Sequence, residues 1–167
     1  EMIKTPTSWV GVNTYTPNAL VHKALKNSLL EHWREFSEVQ REVRLNKETR
    51  IDFMLRSDTK RHFVEVKNVS MAEKGVAMFP DAETVRGQKH LRELMQLMDA
   101  NTTVEIVFVI QRTDCSSFAP ADSIDSKYGQ LLRQAVMSGV RLTPIVCQLG
   151  KQGVSLHDKV LDVSLFI

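Results

Sequence analysis

Apolar residues recur every three to four positions after Thr16: Leu20, Val21, Ala24, Leu25, Leu29, Trp33 and Phe36. That spacing predicts an amphipathic helix of about five turns. Thr16-Pro17 supplies its start, a hydroxyl N-cap followed by proline at the first helical position. From Val39 the period falls to two. Val39, Arg41, Val43 and Leu45 alternate with Gln40, Glu42 and Arg44, a strand at the edge of a sheet. Polar turns at Asn46-Lys47-Glu48 and Ser57-Asp58-Thr59-Lys60 separate two further strands, Arg50 to Leu55 and His62 to Lys67. Three strands joined by short turns read as an antiparallel meander.

A looser segment, Ala72 to Pro80, ends at Asp81, the expected cap of a second helix carrying Leu91, Leu94, Met95 and Met98 and ending at Asn101. Val104-Glu105-Ile106-Val107-Phe108-Val109-Ile110 is a nearly unbroken β-branched run, typical of a strand covered on both faces. Asp125 is the expected cap of a third helix, with Tyr128, Leu131, Leu132, Ala135 and Val136 inward and Gly139 at its end. Arg141 to Leu149 is another strand. Gly150-Lys151-Gln152-Gly153 is a turn, and short β segments close the chain. The order α-β-β-β-α-β, then α-β and a β tail, predicts an α/β fold with a mixed β-sheet flanked by helices.

The length of 167 residues fits one domain. With 43% apolar and 25% charged residues the chain is neither disordered, collagen-like nor a disulfide scaffold. No stretch of about 18 apolar residues exists, so no membrane span is expected. Cys115 and Cys147 make neither a disulfide framework nor a zinc site, and without a signal peptide they suggest reduced thiols in a cytoplasm. The first residue is Glu1 rather than Met, which suggests a fragment.

The chemistry starts from charges in the middle of strands, where apolar side chains belong. Asp52 stands in Arg-Ile-Asp-Phe, and Glu65 and Lys67 in Val-Glu-Val-Lys. Residues i and i+2 of a strand share a face, so Glu65 and Lys67 point the same way. Asp52, on the paired strand, can face them across the ladder at about 5 Å between Cβ atoms. Ile51, Phe53, Val64 and Val66 then fill the opposite face. Two carboxylates that close stay ionised together only with a cation between them. Asp52, Glu65 and the Val66 carbonyl make an oxygen set suited to Mg²⁺ or Mn²⁺. Such an ion polarises a phosphodiester and lowers the pKa of a bound water, and Lys67 is placed to orient that water or to stabilise charge developing on phosphorus. Asp followed thirteen residues later by Glu-x-Lys is the PD-(D/E)XK nuclease pattern. The bland alternative is a solvated cross-strand charge cluster, but the αβββαβ order around it favours a restriction-endonuclease-like core.

Glu42, on the preceding strand, is either a further metal ligand or a partner of Arg44 or Arg50. Glu31 and Glu35 read as solvated, and His22, His32 and His62 as surface or half-buried. His90 opens the inward stripe of the second helix and is a candidate to line the site. The net charge is only +2, yet residues 41–67 hold eight basic against five acidic residues. Arg50, Arg86, Lys89 and His90 are therefore the candidate contacts to DNA, with Lys74 and Arg92 extending the surface.

The chain resembles the sugar fermentation stimulation protein A (SfsA) family. The matching stretches are Trp9-Val10-Gly11-Val12-Asn13-Thr14, Pro17-Asn18, Arg50-Ile51-Asp52-Phe53 and Val64-Glu65-Val66-Lys67. The longest runs from Phe79-Pro80-Asp81-Ala82 through Thr84 and Arg86-Gly87 to Lys89-His90-Leu91-Arg92-Glu93-Leu94; Ile124-Asp125, Tyr128 and Gly139-Val140 continue it. The resemblance implies a cytoplasmic protein that binds DNA without sequence preference, with a role in regulating sugar (maltose) metabolism. It also implies an N-terminal OB-fold-like domain ahead of a C-terminal PD-(D/E)XK nuclease-like domain. On that reading residues 1–16 are a linker from a missing OB part and 17–167 are the nuclease-like domain. Two functions stay open: a Mg²⁺-dependent endo- or exonuclease acting on nucleic acid, and a non-catalytic DNA-binding regulator. A homo-oligomer is compatible with either.

Overall fold

The computed structural model describes residues 2–6, 8–11, 13, 16–150 and 153–166. Val12 and Thr14 of the first matching stretch, and Lys151-Gln152 of the expected turn, lie outside the described residues. In chain order the strands are β1 (Met2–Lys4), β2 (Trp9–Gly11), β3 (Glu38–Arg44), β4 (Arg50–Arg56), β5 (Arg61–Val69), β6 (Ala72–Glu73), β7 (Val76–Phe79), β8 (Thr102–Ile110), β9 (Ser117–Pro120), β10 (Arg141–Gly150), β11 (Gly153–Val160) and β12 (Asp162–Val163). The helices are α1 (Thr16–Lys26), α2 (Val85–Leu97) and α3 (Ser126–Met137), with a 3-10 turn at Glu31–Trp33.

The molecule is a mixed α/β structure. Its main sheet has six strands in the order β11-β10-β8-β5-β4-β3. β3, β4 and β5 form the expected antiparallel meander, while β5, β8 and β10 run parallel. A smaller sheet, β12-β9-β7-β6, gathers the segment read as loose and part of the β tail. β1 and β2 form a hairpin within the stretch read as a linker. It is tied to the body by Gly11 N–H donating to the Gln111 carbonyl at 2.9 Å.

Alternation along β5 and β8 divides the interior in two. Phe63, Val104, Ile106, Phe108 and Ile110 pack with Leu91 and Leu94 of α2 and Tyr128, Leu131 and Leu132 of α3. Val64, Val66, Val107 and Val109 pack with Val21, Ala24 and Leu25 of α1 and with Trp33. β8 is thus apolar on both faces because both are covered. Phe53 and Leu55 join the α1 layer, but Ile51 belongs to the α2–α3 layer instead of the face expected for it. The alternation breaks beside Asp52. β3 and β4 pair on either side of the Glu42/Asp52 position but not at it, and Glu42 has φ 53°.

Two helix boundaries differ from the expectation. α1 stops after eleven residues, about three turns, rather than running on to Trp33. Ser28, at φ 47°, turns the chain; Ser28 N–H donates to the Leu25 carbonyl and Leu29 N–H to the Ala24 carbonyl, both at 3.0 Å. This is a Schellman ending without glycine. Leu29 and Trp33 still pack against α1's layer from the following turn. The cap of α2 is Thr84 rather than Asp81, its hydroxyl accepting from Gly87 N–H at 3.0 Å. Asp125 caps α3 as expected, accepting from Tyr128 N–H at 2.8 Å. Its other contacts, from Thr84 N–H and the Gln88 amide, join the starts of α2 and α3. Among the described residues no helix is long and apolar enough to cross a membrane.

Candidate metal and nucleic-acid site

Asp52 lies where the β4–β5 ladder ends, one residue past the Phe53–Val64 pair. Its Oδ2 accepts the Val66 backbone N–H at 2.8 Å, and its Oδ1 accepts from the Asn18 amide of α1 at 2.7 Å. Burial, then the nearby charge of Glu65, pushes the Asp52 pKa from 3.8 up to about 6, against the pull of those two donors and Lys67.

Glu65, only 3% exposed, sits in the middle of β5. Its Oε1 accepts from Lys67 Nζ at 2.7 Å and from His90 Nδ1 at 2.8 Å. The ionised carboxylate only accepts, so His90 carries its proton on Nδ1. Burial opposes the Glu65 charge, but Lys67 and His90 hold its pKa below the ordinary value. Glu65 Oε2 is buried with no hydrogen-bond partner among the described residues. The Tyr128 hydroxyl is the other such atom, and its pKa is raised by burial and then by the charges of Glu65 and Asp125.

These groups form one electrostatic unit centred on two carboxylates, Glu65 bonded to His90 of α2 and Asp52 to Asn18 of α1. A buried carboxylate oxygen without a hydrogen-bond partner is costly. A divalent cation is one group that would satisfy it while relieving the repulsion that raises Asp52. Two carboxylates are oxygen donors of the kind a hard ion of the Mg²⁺ type takes.

Asp52 also opens onto a pocket of about 380 Å³ that it shares with Arg44, Lys47, Arg50, Arg86 and Glu42. Two of the four expected DNA contacts, Arg50 and Arg86, therefore flank an acid of the site. Lys89 instead pairs with Glu48 at the surface, 2.5 Å apart. His90 is buried on Glu65, so its ring lies away from the surface and beside an acid of the site. Glu42 is ion-paired to Arg50 at 3.2 Å, one of the two roles foreseen for it.

Periodicity missed two residues here. By spacing Tyr128 is ordinary inward stripe, and its hydroxyl is the signal that sets it apart. Glu105 sits within an apolar run, yet a lone charge inside such a run is the same signal that picks out Glu65. Glu105 is fully buried on the α1 side, and His32, His62, Trp33 and Thr143 all bond to it. His62 is accordingly buried, contrary to its expected place at or near the surface.

The profile of the family described as "Sugar fermentation stimulation protein RE domain" matches residues 15–153. A sugar fermentation stimulation protein homolog of Bdellovibrio bacteriovorus is 51% identical over 99% of this chain and 73% of its own length. One from Geotalea daltonii is 44% identical over 93% of this chain and 68% of its own. The structure of Pyrococcus furiosus SfsA in complex with Ca²⁺ matches with a TM-score of 0.88 at 26% identity, covering 98% of this chain and 70% of that one. With a family profile spanning most of its length and half its residues shared with a near full-length match, the chain belongs to the sugar fermentation stimulation protein (SfsA) family.

Proposed function

We propose that this chain is a DNA-binding domain of restriction-endonuclease-like, PD-(D/E)XK type, with a Mg²⁺-dependent phosphodiesterase site at Asp52, Glu65 and Lys67. The observation that carries the reading is the bare, buried Oε2 of Glu65 beside a carboxyl group whose pKa is raised to about 6. Together they describe a site whose negative charge exceeds what its own donors satisfy. The order α1, β3, β4, β5, α2, β8, with the short β6 and β7 between β5 and α2, supports it, as do the family profile's "RE domain" and the Ca²⁺ bound by the P. furiosus relative.

Asp52 and Glu65 would hold the ion, with the Val66 carbonyl assisting and Glu42 as a lesser candidate. Bound there, it would polarise the phosphodiester and acidify a water. The residues divide the remaining work. Val66 N–H and Asn18 fix the Asp52 carboxylate, and His90 fixes Glu65. Lys67, held by Glu65, carries the positive charge that would orient the attacking water or steady the charge on phosphorus. Arg50 and Arg86 would receive the backbone phosphates in the basic pocket.

One observation favours a second reading, a DNA-binding regulator without turnover. Lys67 is already paired to Glu65, so an ammonium and a carboxylate close on each other without an ion. Incubating the protein with linear and single-stranded DNA in Mg²⁺, Mn²⁺ or EDTA separates the two. Metal-dependent cutting that disappears in a folded Lys67→Ala variant supports catalysis; DNA binding with no cutting under any metal leaves the regulator.

A further inference from the structure

The sheet carries a second polar centre on its other face, at the N-terminal ends of the parallel strands. His62 comes from β5, Glu105 from β8 and His32 from the 3-10 turn after α1. Both imidazole Nε2 atoms point at one carboxylate. His62 Nε2 is 2.8 Å from Glu105 Oε2, and His32 Nε2 is 3.0 Å from Oε1 and 3.2 Å from Oε2. One donor atom from each residue lies within 4.8 Å of the others.

We propose that His32, His62 and Glu105 form a site for a divalent transition-metal ion of the Zn²⁺ class, with its open coordination position facing solvent. Two imidazoles and a carboxylate are a common ligand set for such an ion when a water takes the fourth place. Zn–N and Zn–O bonds of about 2.0–2.2 Å put tetrahedral ligand atoms about 3.4 Å apart. Admitting the ion asks the two imidazole nitrogens to draw back from the carboxylate by about half an ångström. His32 can give way, since its side chain is 27% exposed while that of Glu105 is fully buried.

The surroundings suit a metal centre. His62 Nδ1 lies 2.7 Å from the Thr103 hydroxyl, which can accept from Nδ1–H and so turn the Nε2 lone pair inward. Trp33 Nε1 donates to Glu105 Oε2 at 2.8 Å, and the Thr143 hydroxyl bonds to Oε1. These contacts orient the ligands in the manner of outer-shell partners. A cleft of about 550 Å³, bordered by His32, His62, Glu35 and Arg141, gives an entry path and room for water or a small anion. The donor types also separate this centre from Asp52 and Glu65. Imidazole nitrogen selects transition ions, whereas an all-oxygen set suits Mg²⁺ or Ca²⁺.

Co²⁺ is the probe, because its ligand-field absorption reports nitrogen coordination and four-coordinate geometry. The intact chain, stripped with chelator and returned to excess Mg²⁺ to fill any oxygen site, is titrated with Co²⁺ and then with Zn²⁺ in competition. The expected result is one Co²⁺ per chain with an intense band that Zn²⁺ abolishes. His32→Ala should remove the band and weaken binding at least about 100-fold, and Thr103→Val should weaken it about 10-fold, as loss of an outer-shell partner does. Asp52→Asn should leave the band intact. No band in the wild-type protein, an equal band in His32→Ala, or a band lost in Asp52→Asn would each overturn the proposal. Circular dichroism checks the fold, and His32→Gln gives the same readout should the alanine variant not fold.

Discussion

His90 Nδ1 donates to Glu65 Oε1, the same oxygen that Lys67 Nζ reaches, at 2.8 and 2.7 Å respectively. One carboxylate oxygen is thus held twice while its twin, Oε2, is bare. The arrangement locks the carboxylate's orientation and leaves the free oxygen as the one able to meet an ion. It also joins α2 to the centre of the sheet, so the site's geometry depends on the packing of α2 against α3.

His90→Ala should therefore loosen Glu65 without exposing it. Affinity for Mg²⁺ or Ca²⁺, measured by calorimetry, should fall about 10- to 100-fold, the usual effect of losing an outer-shell partner. DNA affinity in EDTA should stay unchanged. His90→Asn, which restores a donor, should recover part of the metal affinity. A parallel loss of DNA binding in EDTA would mean that His90 meets DNA after all.

Asp52 links the site to stability. Its folded pKa of about 6 lies above the ordinary 3.8, so the folded state holds the proton more tightly than the unfolded chain. The cost of ionising it is fully present above pH 6, shrinks as pH falls towards 3.8, and is absent below. Two pH units correspond to about 3 kcal/mol at most. Asp52→Asn should then stabilise the metal-free protein by about 1–3 kcal/mol at pH 8 and by almost nothing at pH 3.5, provided the Asn18 amide flips to donate no longer. Urea denaturation in EDTA at the two pH values measures this. An equal shift at both would show that the charge is not the cause.

The basic pocket makes a separate prediction. Arg50 and Arg86 line the pocket with Asp52, but Arg50 is ion-paired to Glu42 as Lys89 is to Glu48. Each phosphate contact contributes about one unit to the slope of log affinity against log salt. Arg86→Ala should lower that slope by about one, evenly across DNA sequences. Arg50→Ala and Lys89→Ala, each removing a cation already paired to a carboxylate, should change it less. Fluorescence anisotropy from 50 to 300 mM salt, about the range over which phosphate contacts dominate, resolves the difference.

The sequence made the main frame legible because each large element has its own period. The meander, the long β8 run and the stripes of α2 and α3 fall where alternation and helical spacing put them. The errors have local causes. Ser28 adopts a left-handed conformation that serine rarely takes, so a four-residue stripe continued across a real break. Ile51 changes layer because the β3–β4 ladder is interrupted at Asp52, and no alternation rule carries through an interruption. Asp52, Glu65 and Lys67 were legible as charges in strands, and the structure brings them into one electrostatic unit. The convergence of His32, His62 and Glu105 was not legible, because their partnership depends on the parallel pairing of β5 with β8 and on where a short 3-10 turn lands.

Glu105 gives the clearest stability prediction. Its carboxylate is buried, and despite that burial the His32 and His62 contacts hold its pKa far below the ordinary value of 4.5. A depressed carboxyl pKa contributes stability that is complete above the unfolded value and is lost as pH falls through the folded one. Glu105→Gln keeps the shape but turns an acceptor into an amide facing Trp33, His32, His62 and Thr143, with too few lone pairs for them all. The metal-free variant should be about 3 kcal/mol less stable at pH 7, the range seen when one partner of a buried charge network is removed. Its loss of stability from pH 5 down to pH 2 should be shallower than that of the wild-type protein, because the titrating group is gone. Thermal melts across that range in EDTA test both parts. Parallel acid limbs in the two proteins would mean that protonation of Glu105 does not contribute to the loss of stability in acid.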